Sequence, residues 1–155
     1  MAKVNHIPEG YHSVTPYLSV KGAAKAIDYY KQVFGATELF RMPGPDGKIG
    51  HAEIKIGNSP IMLADEFPEM EFVSPQTLGG SPIGLMIYVD DVDTMFNKAI
   101  GAGATEVKPL QDQFYGDRSG TLKDPFGHVW TVATHVEDVA PEELQKRAAA
   151  AHGGS

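Results

Sequence analysis

One stretch of this chain contains two residues whose side chains can transfer protons. In "KIGHAEIKIG" (48–57), His51 and Glu53 alternate with small and apolar residues. Successive side chains of a β-strand point to opposite faces, so we expect His51 and Glu53 on one face. An imidazole beside a carboxylate can serve as an acid–base pair or hold an ion. The alternative is a polar strand face turned to water, on which the two are ordinary neighbours.

Other catalytic patterns are absent from the sequence. There is no cysteine, which removes thiolate nucleophiles, thiolate metal sites and disulfides and suits a reducing cytoplasm. A G-x-S-x-G elbow, a Walker A loop and an H-E-x-x-H motif are also missing. The net charge of −7, without a run of Lys or Arg, argues against a nucleic-acid partner. No stretch reaches the roughly 20 apolar residues that span a bilayer, so we expect a cytoplasmic protein that does not bind membranes.

The elements that would position His51 and Glu53 occur twice. "GATEL" (35–39) returns as "GATEV" (103–107), and at the same spacing Met62 falls on Trp130. A strand-like run and a helical run precede each copy, and two further strands follow it. The apolar stripes of the two predicted helices are Ala23, Ile27, Tyr30 and Phe34 in the first, and Val92, Met95 or Phe96, and Ala99 or Ile100 in the second.

The repeat predicts an α+β fold of tandem βαβββ modules followed by a short C-terminal helix. The Pro, Gly and Glu content between the modules favours a mobile connection. The predicted divisions are an N-terminal arm at 1–12, a first module at 13–65, a linker at 66–81, a second module at 82–134, and a C-terminal helix and tail at 135–155.

A duplicated βαβββ chain whose second half ends in "DPFGHVW" resembles the vicinal oxygen chelate superfamily. This superfamily includes glyoxalase I, extradiol dioxygenases, fosfomycin-resistance enzymes and bleomycin-binding proteins. The resemblance covers about residues 13–134 and is closest to the PhnB-like and bleomycin-resistance-like branch. The segments that carry it are "TPYLSVKGAAKAIDYYKQVFGA" (15–36), "HAEIKIGNSPIMLADE" (51–66), "YVDDVD" (88–93) and "YGDRSGTLKDPFGHVW" (115–130).

The resemblance implies a curved shell of mixed sheets around a small-molecule pocket, with the helices outside. Many members are homodimers whose pockets are formed by modules of both chains. Metal-dependent members hold their metal with four His, Gln or Glu ligands on the first and last strand of each module. Aligned on this sequence, those positions are Thr15, Met62, Gly84 and Thr131.

None of these four residues is a competent ligand for a divalent metal, which requires imidazole, thiolate or carboxylate donors. We therefore expect no cofactor, with a divalent metal as the less favoured alternative. Strand alternation from the same positions, together with the aromatic loop at 111–120, predicts a set of pocket residues and places Trp130 in the core. The predicted ligand-binding residues are Thr15, Tyr17, Met62, Met86, Tyr88, Phe114, Tyr115, Arg118 and Thr131.

Arg118 has two interpretations. Its guanidinium could grip a carboxylate or phosphonate of the ligand, or it could pair with Asp117 or Asp124 or remain solvated. The prediction for the whole chain is a metal-independent, homodimeric small-molecule binding protein that sequesters a drug or metabolite. One alternative is a glyoxalase-like lyase or isomerase that uses either an unconventional metal site near His51 and Glu53 or acid–base residues alone. Another is a protein that dimerises and serves a partner, which the C-terminal helix alone favours.

Overall fold

The computed structural model describes residues 3–153. The chain divides into two compact units on either side of the Gly80–Ser81 bond. Each unit contains one four-stranded mixed sheet, and each sheet is crossed by one helix of its own unit.

The first unit follows the predicted βαβββ order. Its strand order is β1-β4-β3-β2, with β1 parallel to β4 and the other neighbours antiparallel. The elements are β1 (Tyr17–Val20), α1 (Ala23–Phe34), β2 (Thr37–Pro43), β3 (Ile49–Ile56) and β4 (Ser59–Asp65).

The segment predicted as a mobile linker carries regular structure. A 3-10 turn spans Pro68–Met70, and a short helix, α2, spans Pro75–Leu78. Ser74 caps α2 through a hydrogen bond from the Thr77 amide. The Glu66 carboxylate accepts from the Ser74 amide at 2.9 Å and from the Thr77 hydroxyl at 2.8 Å. These bonds tie the segment back to the end of β4.

The second unit repeats the topology of the first. Its strand order is β5-β8-β7-β6, again with one parallel pair, β5 with β8. A C-terminal helix follows, so the predicted fold class of tandem βαβββ modules with an added helix is confirmed. The elements are β5 (Gly84–Tyr88), α3 (Val92–Gly101), β6 (Thr105–Asp112), β7 (Asp117–Lys123), β8 (Val129–His135) and α4 (Pro141–His152).

The two predicted helical stripes form the cores of their units. All four stripe residues of α1 are buried, and in α3 the buried residues are Val92, Phe96 and Ala99. Met95 and Ile100 are therefore not the members of the α3 stripe. Burial of such a stripe against a sheet supplies most of the stability of a short helix.

The spacing of the repeat changes along the module. The pair Thr37↔Lys55 recurs as Thr105↔Lys123, at the spacing that separates the two "GATE" copies. The pair Glu53↔Met62 instead recurs as Thr121↔Thr131, in which the β8 residue lies one position later than that spacing. Because β1 pairs with β4 in the same register as β5 pairs with β8, the first strand is shifted in the same way. The structural counterpart of Met62 is thus Thr131 and not Trp130. A shift of one position moves a side chain to the opposite face of its strand.

The "DPFGHVW" motif is a structural turn around a buried carboxylate. Asp124 Oδ1 accepts from the amides of Phe126 and His128 at 2.9 and 3.0 Å. Its Oδ2 accepts from the Trp130 indole nitrogen at 2.8 Å. Trp130 is fully buried, which confirms its predicted place in the core. The motif therefore joins β7 to β8 and closes the core of the second unit.

The C-terminal helix docks on its own unit. Arg147 donates to the carbonyl oxygen of Phe114 at 3.1 Å and to both carboxylate oxygens of Glu137. The ring of His152 lies 6.2 Å from that of Phe114. Across residues 3–153, no helix has the length and apolar character needed to cross a membrane.

Candidate functional site

A chain of three hydrogen-bonded side chains lies on one face of the first sheet. Tyr17 and Glu53 are both in register with Met62 on the strand between them, which puts the three side chains in one row. His51 lies two residues before Glu53 and on the same face. The Tyr17 hydroxyl is 2.6 Å from His51 Nδ1, and His51 Nε2 is 2.7 Å from the Glu53 carboxylate.

The expected pairing of His51 with Glu53 is thus present, and the structure adds Tyr17 to it. The His51 and Glu53 side chains are 22% and 21% exposed, so the pair is shielded from most solvent. Tyr17 is 45% exposed. Partial burial raises the pKa of the Tyr17 hydroxyl, which keeps it protonated at neutral pH.

Next to these three hydrogen-bonded side chains lies an apolar cleft of about 390 Å³, within the size range of small-molecule sites. Tyr17 belongs both to the hydrogen-bonded chain and to the wall of the cleft. The Phe72 ring meets the Tyr17 ring edge to face, with centroids 5.5 Å apart. The cleft is lined by Tyr17, Gly50, Ala64, Phe67, Met70 and Phe72.

Of the six lining residues, the sequence predicted only Tyr17. Phe67, Met70 and Phe72 lie in the 66–81 segment, which was predicted to be a linker because of its Pro, Gly and Glu content. The Phe67 and Phe72 backbones pair with each other, amide to carbonyl, at 2.7 and 3.2 Å. The signal that could have identified them is the presence of three large apolar residues within six positions of an otherwise acidic segment.

On the equivalent face of its sheet, the second unit presents a more polar surface than the first. Thr131 and Tyr115 line a depression of about 230 Å³ whose other residues are mainly amides, hydroxyls and a lysine. The Thr131 and Thr121 hydroxyls are 3.0 Å apart. Met86, the strand partner of Thr131, is 47% exposed. The depression carries no ionisable pair like that of the first unit.

Tyr88 belongs to a separate cluster in the second unit. Its hydroxyl donates to the buried Asp117 carboxylate at 2.9 Å, and His135 bridges Asp117 and Asp138 through its two ring nitrogens. The hydrogen bond to Asp117 is the main cause that raises the pKa of Tyr88. Hydrogen bonds to Asp117 and then to Asp138 raise the pKa of His135.

Of the nine predicted ligand-binding residues, only Tyr17 lines the cleft, and Arg118 and Phe114 have partners elsewhere. Arg118 forms a bidentate contact with Asp93, at 2.8 and 2.9 Å, and a longer one with Asp112. Its ion-pair partners are therefore not Asp117 or Asp124. Phe114 packs against α4, and Thr15 lies two residues before the start of β1. None of these three residues lines the cleft.

The residues of this chain do not fit the metal of the metal-dependent members. Within the described part of the chain, no three His, Cys, Asp or Glu residues lie close enough to hold an ion. The side chains at the expected metal positions are a thioether, two hydroxyls and a glycine hydrogen, at Met62, Thr15, Thr131 and Gly84.

The tandem βαβββ fold defines the class of protein, and the sequence comparison defines the family. Residues 3–132 match the Glyoxalase/Bleomycin resistance protein/Dioxygenase superfamily. The chain belongs to this superfamily.

A relative and two solved structures are similar to this chain. An uncharacterized protein of Mycobacterium bovis is 45% identical over 136 residues, which cover 86% of this chain and 90% of the relative. The crystal structure of TioX from Micromonospora sp. ML1 is similar, with a TM-score of 0.62 and 26% identity, over 83% of this chain and all of that one. The PhnB protein from Bacillus cereus shares the fold, with a TM-score of 0.64 and 19% identity, over 79% of this chain and 99% of that one.

Proposed function

We propose that this protein binds a small organic molecule with an apolar body in the cleft of the first unit, without a metal, and so sequesters a drug or metabolite. The observation that carries the proposal is the adjacency of the cleft, walled by Phe67, Met70 and Phe72, to one hydrogen-bonded polar group, Tyr17. Apolar walls with few convergent polar groups are typical of small-molecule sites. Two phenylalanines and a methionine suit a planar, polarisable ligand.

A thermal-stability screen against apolar aromatic compounds tests the proposal. A ligand present at about 100 times its Kd stabilises the folded protein by about 2.7 kcal/mol, a readily measured shift in Tm. Met70→Ala and Phe72→Ala are expected to weaken the shift. Leu78→Ala is the matched control, since Leu78 is an exposed apolar residue of the same segment and lies outside the cleft wall. A broad screen without any stabilising compound would overturn the proposal.

The Tyr17–His51–Glu53 chain favours a second candidate, a glyoxalase-like lyase or isomerase that works by acid–base chemistry. In such a reaction the Tyr17 oxygen would take a proton from carbon while its own proton passes to His51 Nδ1. The imidazolium so formed would be stabilised by Glu53. Ketones and α-hydroxycarbonyl compounds incubated in D₂O test this candidate by NMR. Deuterium uptake at the α-carbon that is lost in His51→Ala would support an enzyme, and no uptake would favour a binding protein.

We also infer a cytoplasmic homodimer. The acidic, cysteine-free chain suits a reducing compartment, and homodimers are common among the proteins it resembles. Light scattering after gel filtration of the full chain measures its mass, and a mass of about 17 kDa would contradict the dimer.

A further inference from the structure

We propose that the cleft of the first unit selects ligands that present a hydrogen-bond donor, a phenolic O–H or an aromatic N–H, because His51 and Glu53 fix the Tyr17 hydroxyl as an acceptor. This inference rests on the proposed binding function and names the chemical class of its ligand. It follows from the order of the three side chains and the hydrogen-bonding capacity of each.

The order begins at Glu53. An ionised carboxylate accepts hydrogen bonds and cannot donate them. His51 Nε2, 2.7 Å from the Glu53 oxygen, must therefore carry the ring hydrogen. A neutral imidazole with its hydrogen on Nε2 has a lone pair on Nδ1.

That lone pair decides the direction of the next hydrogen bond. The Tyr17 oxygen is 2.6 Å from His51 Nδ1, and when the imidazole is neutral only the phenol has a hydrogen to place between them. A phenol has a single O–H, so the contact with His51 uses its entire capacity to donate. The remaining lone pair of the Tyr17 oxygen can accept a hydrogen bond from a ligand but cannot supply one.

The other side chains that line the cleft offer no hydrogen-bond donor, and the Lys48 ammonium lies over the Phe67 ring, 5.6 Å from its centroid. Apart from Tyr17, the lining side chains belong to glycine, alanine, methionine and phenylalanine, which carry no N–H or O–H. A ligand with only an ether or carbonyl oxygen would place that acceptor against the Tyr17 lone pair. An unmatched buried acceptor costs the ligand its hydrogen bond to water without replacement.

Two bicyclic probes of nearly equal shape test this selection. 2-Naphthol carries a phenolic O–H, and 2-methoxynaphthalene carries an ether oxygen in its place. In fluorescence titrations of the full chain we expect 2-naphthol to bind about tenfold more tightly, as one additional hydrogen bond would give.

Two substitutions are expected to remove the preference by different routes. Tyr17→Phe deletes the acceptor and should bring the two affinities together. In Glu53→Gln the amide can donate to His51 Nε2, which frees Nδ1 to carry the ring hydrogen and Tyr17 to donate outward. The preference should then fall or reverse. Glu69→Gln is the matched control, because Glu69 is exposed and belongs neither to the hydrogen-bonded Tyr17–His51–Glu53 group nor to the cleft wall.

The outcomes separate the inference from the function on which it rests. Equal wild-type affinities for the two probes, or a preference that persists in Tyr17→Phe, would overturn the inference and leave the binding function intact. Failure of both probes, and of a broad set of other apolar compounds, to bind would overturn the binding function and the inference with it. Circular dichroism and Tm confirm the fold of each variant, and the wild-type comparison needs no variant.

Discussion

Asp65 and Thr134 occupy the same position in their two modules, near the end of the last strand, and each caps the helix of its module. Asp65 Oδ1 accepts from the amides of Gly22 and Ala23, both at 2.9 Å. Thr134 Oγ1 accepts from the amide of Val92 at 3.1 Å. An oxygen that meets the free amides at a helix start stabilises it. In both modules a strand distant in sequence therefore supplies this cap.

Asp65→Ala is expected to destabilise the protein more than Thr134→Val. Asp65 also accepts from the Ile49 amide at 2.7 Å, so its loss leaves buried amides unpaired and should cost about 3 kcal/mol. Thr134→Val keeps the side-chain shape and should cost about 1 kcal/mol. Urea unfolding followed by circular dichroism gives both free energies of unfolding. Equal costs would show that the extra bonds of Asp65 contribute nothing.

Gly116→Ala is expected to release the C-terminal segment. The Gly116 carbonyl accepts from the Val136 and Glu137 amides, and a methyl group at Gly116 would overlap the carbonyl oxygen of Glu137. Residues 136–152 should become sensitive to limited proteolysis, with a loss of about 3 kcal/mol in stability.

The control for Gly116→Ala is Gly79→Ala. The two glycines have similar positive φ values, 100° and 90°, but a methyl group at Gly79 would meet nothing within 4 Å. Backbone strain alone should cost about 1 kcal/mol there. Unchanged proteolysis of Gly116→Ala would show that α4 is held by the Arg147 contacts alone.

Stability should depend on the protonation of His135. Because Asp117 and Asp138 raise the pKa of His135 in the folded state, its imidazolium stabilises the fold. This stabilisation is fully present below the unfolded pKa of about 6.5 and is lost as pH rises through the higher folded pKa. The Tm difference between wild type and His135→Gln should therefore shrink as the pH rises above about 6.5 and through the higher folded pKa. His12→Gln, at an exposed histidine, is the control, and a pH-independent difference would contradict the prediction.

Chelation should leave ligand binding unchanged. The predicted metal positions hold Thr15, Met62, Gly84 and Thr131, and none of these residues supplies an imidazole, thiolate or carboxylate donor. Protein dialysed against EDTA should bind 2-naphthol with the same Kd as untreated protein. A loss of binding that Mn²⁺ or Zn²⁺ restores would show that a metal takes part.

Local periodicity was sufficient to predict the elements of both modules. Alternation in 48–57 placed His51 and Glu53 on one face, and the 3.6-residue period selected the buried stripe of α1. The "GATE" repeat, however, misplaces the last strand by one position, because β1 and β4 recur one position later than β2 and β3 do. Sequence identity marks a repeat, but the register of strand pairing is set by packing on both faces of the sheet.

The sequence by itself determined the family, the two βαβββ modules and the His51–Glu53 pair, because these depend on motifs and on residues close together along the chain. Only the tertiary structure decided that Tyr17 completes the pair, that Phe67 and Phe72 wall the cleft, and that Arg118 turns to Asp93. Each of these contacts joins residues from different elements. Their geometry depends on strand order and on the folding of the 66–80 segment against its sheet, which no local pattern encodes.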